Sequence, residues 1–137
     1  EFGNNFVKTM LKLGQRSDNL NVIFDQVGTP TYAKDLAKSI MWIIKSQNFS
    51  QKYFKTDIVN YSNEGLCSWY DFAKTIFELT NIQCEVIPII TKEYPTPARR
   101  PHYSVLDKTK IKQTYNLAIP YWKDSLRQCL AALEGRA

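Results

Sequence analysis

A single histidine, His102, and three cysteines, Cys67, Cys84 and Cys129, are all that 137 residues offer in imidazole and thiol groups. One histidine excludes any site that needs two. The cysteines are odd in number and far apart, which fits neither a disulfide framework nor the close pairs of a zinc site. They read as buried, reduced thiols of a cytoplasmic protein, and no metal site is expected. The five glycines are isolated, so the chain has no G-x-G-x-x-G and no P-loop. Without such a loop no helix N-terminus comes close to a dinucleotide's phosphates, and this chain alone is not expected to bind a nicotinamide or ATP. No apolar run approaches the roughly 20 residues needed to cross a bilayer, so no membrane partner is expected. A charged n-region followed by an apolar stretch and a small-residue site is also missing, so no signal peptide is expected.

What is present is a chain with room for one domain with a core of its own. It begins with glutamate rather than methionine and enters a helical pattern almost at once, which makes a piece of a longer protein the expectation. The net charge of +5 raises the question of nucleic acid. The lysines, however, are scattered singly along helix faces (Lys34, Lys38, Lys45, Lys74, Lys123), whereas a nucleic-acid surface gathers its charge on one face. A modest attraction for small anionic ligands fits better, and no nucleic-acid partner is expected.

Hydrophobic spacing predicts a helix over Asn4–Gly14, with Phe6, Val7, Met10, Leu11 and Leu13 on its apolar positions and Gly14 ending it. Asn21–Asp25 reads as a strand and "QVGTPTY" as a turn. Leu36, Ala37, Ile40, Met41 and Ile44 give an amphipathic helix over Ala33–Lys45. Ser46–Asp57 reads as a loop and Ile58–Ser62 as a strand. Ser68 and Asp71 form a capping pair at the start of a helix that buries Phe72, Ala73, Ile76, Phe77 and Leu79. Cys84–Ile90 reads as a strand whose Pro88 points to an edge position. Asp107 caps a short helix to about Gln113. Pro120 precedes a last helix with Trp122, Leu126, Cys129, Leu130 and Leu133 inside and Gly135 at its end. The alternation makes this an α/β or α+β unit. Its strands are too few and too short for a self-sufficient doubly wound sheet, so some are expected to join a sheet completed by other sequence.

Three stretches carry candidate chemistry. "YDFAK" puts Tyr70 and Lys74 on one helix face, where a lysine can lower the pKa of a tyrosine acting as a general acid. A chain with eight tyrosines and many lysines offers such a match by chance, and both read as ordinary surface residues; no catalytic residue is assigned. "EYPTPARRPHYSVLD" is different. Prolines at 95, 97 and 101 restrict the backbone around Arg99 and Arg100, so the loop loses little entropy on ordering. Guanidinium forks match phosphate oxygens in bidentate fashion, which favours a pyrophosphate-bearing ligand. Pairing of either arginine with carboxylates of its own fold is the bland alternative. "DQVGTPTY" supplies Gln26, Thr29 and Thr31 as neutral groups suited to sugar hydroxyls or a base edge.

Four segments, "GNNFVKTML", "DQVGTPTYAKDLA", "SWYDFAKTIFEL" and "YPTPARRPHYSVLDKTKI…WKDSL", fall in the order found in the dTDP-4-dehydrorhamnose reductases. From Gly3 to roughly Leu133 the chain resembles the C-terminal part of that family of extended short-chain dehydrogenase/reductases. The resemblance implies a C-terminal substrate-binding domain of a Rossmann-type enzyme, with most of the parallel sheet missing. It implies a dTDP-sugar as partner, and reduction of dTDP-6-deoxy-L-lyxo-4-hexulose to dTDP-L-rhamnose for cell-surface polysaccharide. NADPH or NADH would be held by an N-terminal Rossmann domain absent here, which would also carry the family's catalytic Tyr-x-x-x-Lys. "SWYDFA" is a C-terminal helix motif in the family, so Tyr70 and Lys74 are not that pair. The resemblance points to Arg100 first, then Arg99, Gln26, Asn5 and Thr31, as substrate contacts. Rivals are a non-catalytic nucleotide-sugar-binding regulatory subunit and another nucleotide-sugar epimerase or dehydratase. Self-association through exposed apolar surface and open strand edges is also expected.

Overall fold

In a computed structural model that describes residues 3–46 and 56–135, the chain divides into two compact units. The first comprises Glu1–Gly28 and Leu66–Ser104; the second comprises Thr29–Gly65 and Val105–Ala137. Most of the expected loop Ser46–Asp57 lies outside the described residues.

The first unit is mixed α/β. Helix α1 spans Phe6–Gly14, and Asn5 opens it by accepting the N–H of Lys8 at 3.0 Å on its side-chain oxygen. Its neighbour α3 spans Trp69–Thr80, and the expected capping box is present: Ser68 accepts the Asp71 N–H while Asp71 accepts the Ser68 N–H. Phe6 stacks on Phe72 with ring centroids 5.4 Å apart, and Met10, Ala73, Ile76 and Phe77 complete the apolar interior. Gly14 is the last residue of α1, where the sequence placed the helix end. A Cβ there would lie 2.6 Å from the Phe77 ring, so the glycine is a point of close helix approach.

Strands β1 (Asn19–Ile23) and β4 (Glu85–Ile89) pair in parallel, with Val22 opposite Pro88. Glu85 donates to the Asp18 carbonyl and Ile89 accepts from Phe24, so the odd-numbered residues of β4 face β1. Pro88 therefore turns its nitrogen to the other edge, where a missing N–H breaks no ladder bond. On β1 the backbone groups of Asn19, Asn21 and Ile23 face an edge that no described strand pairs. The segment expected as a turn instead contributes a two-residue strand, β2 (Val27–Gly28), paired antiparallel with β3 (Cys67–Ser68). Of the three thiols only Cys67 is buried; Cys84 and Cys129 are half-buried, which corrects the expectation for those two. Burial, with the Asp71 charge second, pushes Cys67 up to about 12, so it is an inert thiol.

The second unit is helical, with α2 (Ala33–Lys45), α4 (Thr109–Tyr115) and α5 (Trp122–Glu134) around Ile111, Leu117, Trp122, Leu126 and Leu130. Ile58–Ser62 forms no strand; the one bridge nearby joins Glu64 to Tyr121. Helix α2 reverses its expected orientation. Leu36, Ile40, Met41 and Ile44 are exposed, and the buried residues of this helix are Asp35 and Ser39. The reason is a buried polar network. Asn63 Nδ2 reaches Asp35 Oδ2 (3.0 Å), Ser125 Oγ (2.8 Å) and the Pro120 carbonyl (3.2 Å), while its Oδ1 accepts the Tyr32 N–H (2.9 Å). Lys108 Nζ closes it by donating to the Asn63 carbonyl at 2.8 Å. Buried polar groups cost free energy unless partnered, so Asp35 must face this network whatever the apolar positions prefer.

Asp107 does not cap α4 at the helix itself; it accepts the Thr109 N–H at 2.8 Å, and Lys108 stands at the cap position. Gly65 has φ +82°, and a Cβ built on it would lie 2.2 Å from the Tyr121 ring. Gly65→Ala is expected to destabilise by about 2–4 kcal/mol, combining left-handed backbone strain with a ring clash. Urea unfolding checks this, and a loss below about 0.5 kcal/mol would contradict it.

Candidate arginine-loop site

The proline-rich stretch leaves the first unit's parallel pair at its C-terminal end. A 3₁₀ turn at Thr91–Glu93 follows β4 directly, and its first residue is tied back to the end of β1. Asp25 Oδ1 accepts both the Thr91 N–H (2.9 Å) and the Thr91 hydroxyl (2.7 Å). Gln26 Nε2 in turn donates to the same hydroxyl at 3.1 Å. The far end of the loop is tied to Asp25 and Val27. Val27 donates its N–H to the His102 carbonyl (2.8 Å), Ser104 donates to the Val27 carbonyl (2.9 Å), and His102 Nδ1 lies 2.8 Å from the Asp25 carbonyl. Gly28 keeps this approach open, since a Cβ there would come within 2.8 Å of the Ser104 hydroxyl. The sequence Asp25-Gln26-Val27 thus grips both ends of the segment that carries Arg99 and Arg100.

The hydrogen bonds from Thr91 hold the Asp25 carboxyl below the usual aspartate range, with the charge of His102 contributing less. A depressed carboxylate pKa adds stability above the unfolded-state value and loses it as pH falls through the folded value. The Thr91 amide proton is therefore expected to titrate in NMR with a midpoint below 3.8, and a midpoint at or above it would contradict the bond to Asp25.

Arg99 and Arg100 are exposed, and among the described residues neither guanidinium has a hydrogen-bond or ion-pair partner. The carboxylate pairing weighed as the bland alternative is not seen among them. Gln26 is buried, and its amide nitrogen is engaged by Thr91. Asn5 is exposed and caps α1. Thr31, in the second unit, donates to the Thr29 carbonyl at 3.3 Å, and Thr29 donates to the Gly65 carbonyl at 2.8 Å. Gln26 and the arginine segment thus share one hydrogen-bonded assembly, in which Gln26 is a brace. Tyr70 and Lys74 lie apart from it on α3, Lys74 Nζ standing 5.8 Å from the Tyr70 ring centre beside the outer side of β4.

Sequence reading missed Asp25, Thr91 and His102. One signal was available: the only histidine of the chain falls inside the arginine stretch. Asp25 and Thr91, 66 residues apart, left no local pattern to find.

The sequence matches the family described as "RmlD substrate binding domain" over residues 1–134. A dTDP-4-dehydrorhamnose reductase from Sinorhizobium fredii is 40% identical, over 96% of this chain and 46% of the relative. The crystal structure of a dTDP-4-dehydrorhamnose reductase from Clostridium acetobutylicum superposes with a TM-score of 0.86 at 42% identity, over 96% of this chain and 45% of that one. One from Bacillus anthracis in complex with NADP gives 0.81 at 37% identity, over 93% and 42%. The chain spans about half the length of the relatives it matches.

Proposed function

The chain belongs to the RmlD substrate binding domain family, and from that premise we propose that it is the part of a dTDP-4-dehydrorhamnose reductase that holds the dTDP-sugar. The observation that carries the site assignment is the exposed Arg99–Arg100 pair, without an internal partner among the described residues, on a loop fastened at both ends. An unpaired guanidinium on a pre-ordered loop keeps most of its interaction with a diphosphate as net affinity.

Residues 1–137 act as one substrate-binding domain. A Rossmann domain elsewhere in the enzyme carries the nicotinamide, a role supported by the NADP in the Bacillus anthracis structure. The unpaired β1 edge supports a further parallel strand from that domain, because a two-stranded parallel pair leaves faces and edges open. The cofactor delivers hydride to the 4-keto carbon of dTDP-6-deoxy-L-lyxo-4-hexulose, and a proton adds to its oxygen to give dTDP-L-rhamnose. This chain contributes binding remote from the reacting carbon, which orients the sugar for hydride transfer. The free thiols fit a reducing cytoplasm, and the exposed apolar face of α2 supports self-association.

Calorimetric titration of dTDP into the complete reductase, with dTMP as control, tests the reading. Saturable binding that favours dTDP over dTMP is expected, since the second phosphate adds the charge that the arginines would meet. Equal affinity for both would argue against a diphosphate site.

A further inference from the structure

The side chain of His102, in the arginine segment, reaches across to the Asp25–Val27 stretch. Its Nδ1 lies 2.8 Å from the backbone carbonyl of Asp25, and 3.6 Å from the Asp25 carboxylate. A carbonyl oxygen can only accept, so Nδ1 must carry the hydrogen, and in the neutral ring Nε2 is left with its lone pair. The contact therefore fixes the tautomer. It also adds a side-chain bond to the backbone pair Val27–His102, two residues from Arg100 and across the rigid Pro101.

The imidazole itself is 73% exposed. It fills no core, so its replacement removes a tether without opening a cavity. Backbone bonds alone fix the chain's path at residue 102, but one such bond leaves rotation about it. A second anchor on the same residue, to a carbonyl two residues earlier than Val27 on the facing segment, removes that freedom. Arg100 leaves the chain two residues before this doubly held point.

We propose that His102 is a positioning residue for Arg100, acting through its Nδ1–H bond to the Asp25 carbonyl so that the guanidinium meets a nucleotide diphosphate already oriented. The proposal rests on the assignment of the arginine loop to that ligand.

The test uses the complete reductase and dTDP as probe. His102→Phe keeps a ring and removes the donor; His102→Asn keeps an N–H close to the position of Nδ1. His102→Phe is expected to weaken dTDP about 5-fold, the worth of one ordinary hydrogen bond. His102→Asn should recover affinity to within about 2-fold, a rescue that loss of ring packing would not produce. In kinetics the same split should fall on KM for the dTDP-sugar, with kcat and the cofactor's KM unmoved. Arg100→Ala in parallel separates the two readings. If Arg100→Ala weakens dTDP and His102→Phe does not, the positioning role is wrong and the ligand assignment stands. If neither weakens it, the ligand assignment fails and the proposal falls with it. Equal loss in His102→Phe and His102→Asn would show that an N–H at the Nδ1 position does not carry the effect and would overturn the proposal. Independently of any ligand, nitrogen-15 NMR at neutral or higher pH should show the His102 proton on Nδ1; a ring protonated at Nε2 alone would overturn the proposal outright.

Discussion

Arg100→Ala in the complete reductase is expected to raise KM for the dTDP-sugar by about 10- to 100-fold, the range of a charge-assisted bond of about 1.5–3 kcal/mol. The cofactor's affinity should stay within about 2-fold, because nothing in this chain offers a dinucleotide loop. The physical basis is that Arg100 has no internal partner among the described residues. Removing it therefore leaves no buried charge behind, and the loss should appear in binding without a loss of stability. Its neighbours are also held in place: the Asp25–Val27 grip does not pass through the arginine side chains. Steady-state kinetics with each substrate varied in turn decide it. Parallel losses for sugar and cofactor, or a variant that unfolds at lower urea, would make Arg100 a brace of the fold.

The second large effect is expected at Asn63, on stability. Asn63 is fully buried and joins Asp35 on α2, Ser125 on α5, the Tyr32 N–H and the Pro120 carbonyl. Asn63→Ala strips one bond from a buried carboxylate and orphans a backbone N–H. Losses of about 3–5 kcal/mol follow when a buried charge loses a partner, and Ser125 Oγ, 2.5 Å from Asp35, softens this to about 3 kcal/mol. Urea unfolding of variant and parent gives the difference directly. A loss under about 1 kcal/mol would mean that the network is decorative and that the apolar packing of α5 carries the unit. Asn63→Asp should be at least as damaging, since it places a second carboxylate against Asp35.

Much of the helical framework was legible before any coordinates. The recurrence of apolar residues located α1, α2, α3 and α5, and Ser68 with Asp71 announced the start of α3, because capping is a local contract between residues three apart. Pro88 marked an edge, and the prolines at 95, 97 and 101 marked a constrained loop around Arg99 and Arg100. These are properties of short stretches, and short stretches carry them in sequence.

Other features depend on what a stretch meets. The periodicity of α2 showed that an apolar face exists, but Asp35 and Ser39 turned inward because Asn63 and Ser125 wait there, 28 and 90 residues from Asp35. Gly14 ends α1 as its sequence position suggested, but its close approach to Phe77 shows only in the tertiary structure. Ile58–Ser62 has the composition of a strand but no partner strand among the described residues, and a strand without a ladder is only extended chain. At the site, sequence supplied the two arginines and the stiffness around them. Tertiary structure supplied the grip, since backbone-directed bonds from Asp25, Val27 and His102 follow from where two distant segments run and not from a pattern that either segment shows alone.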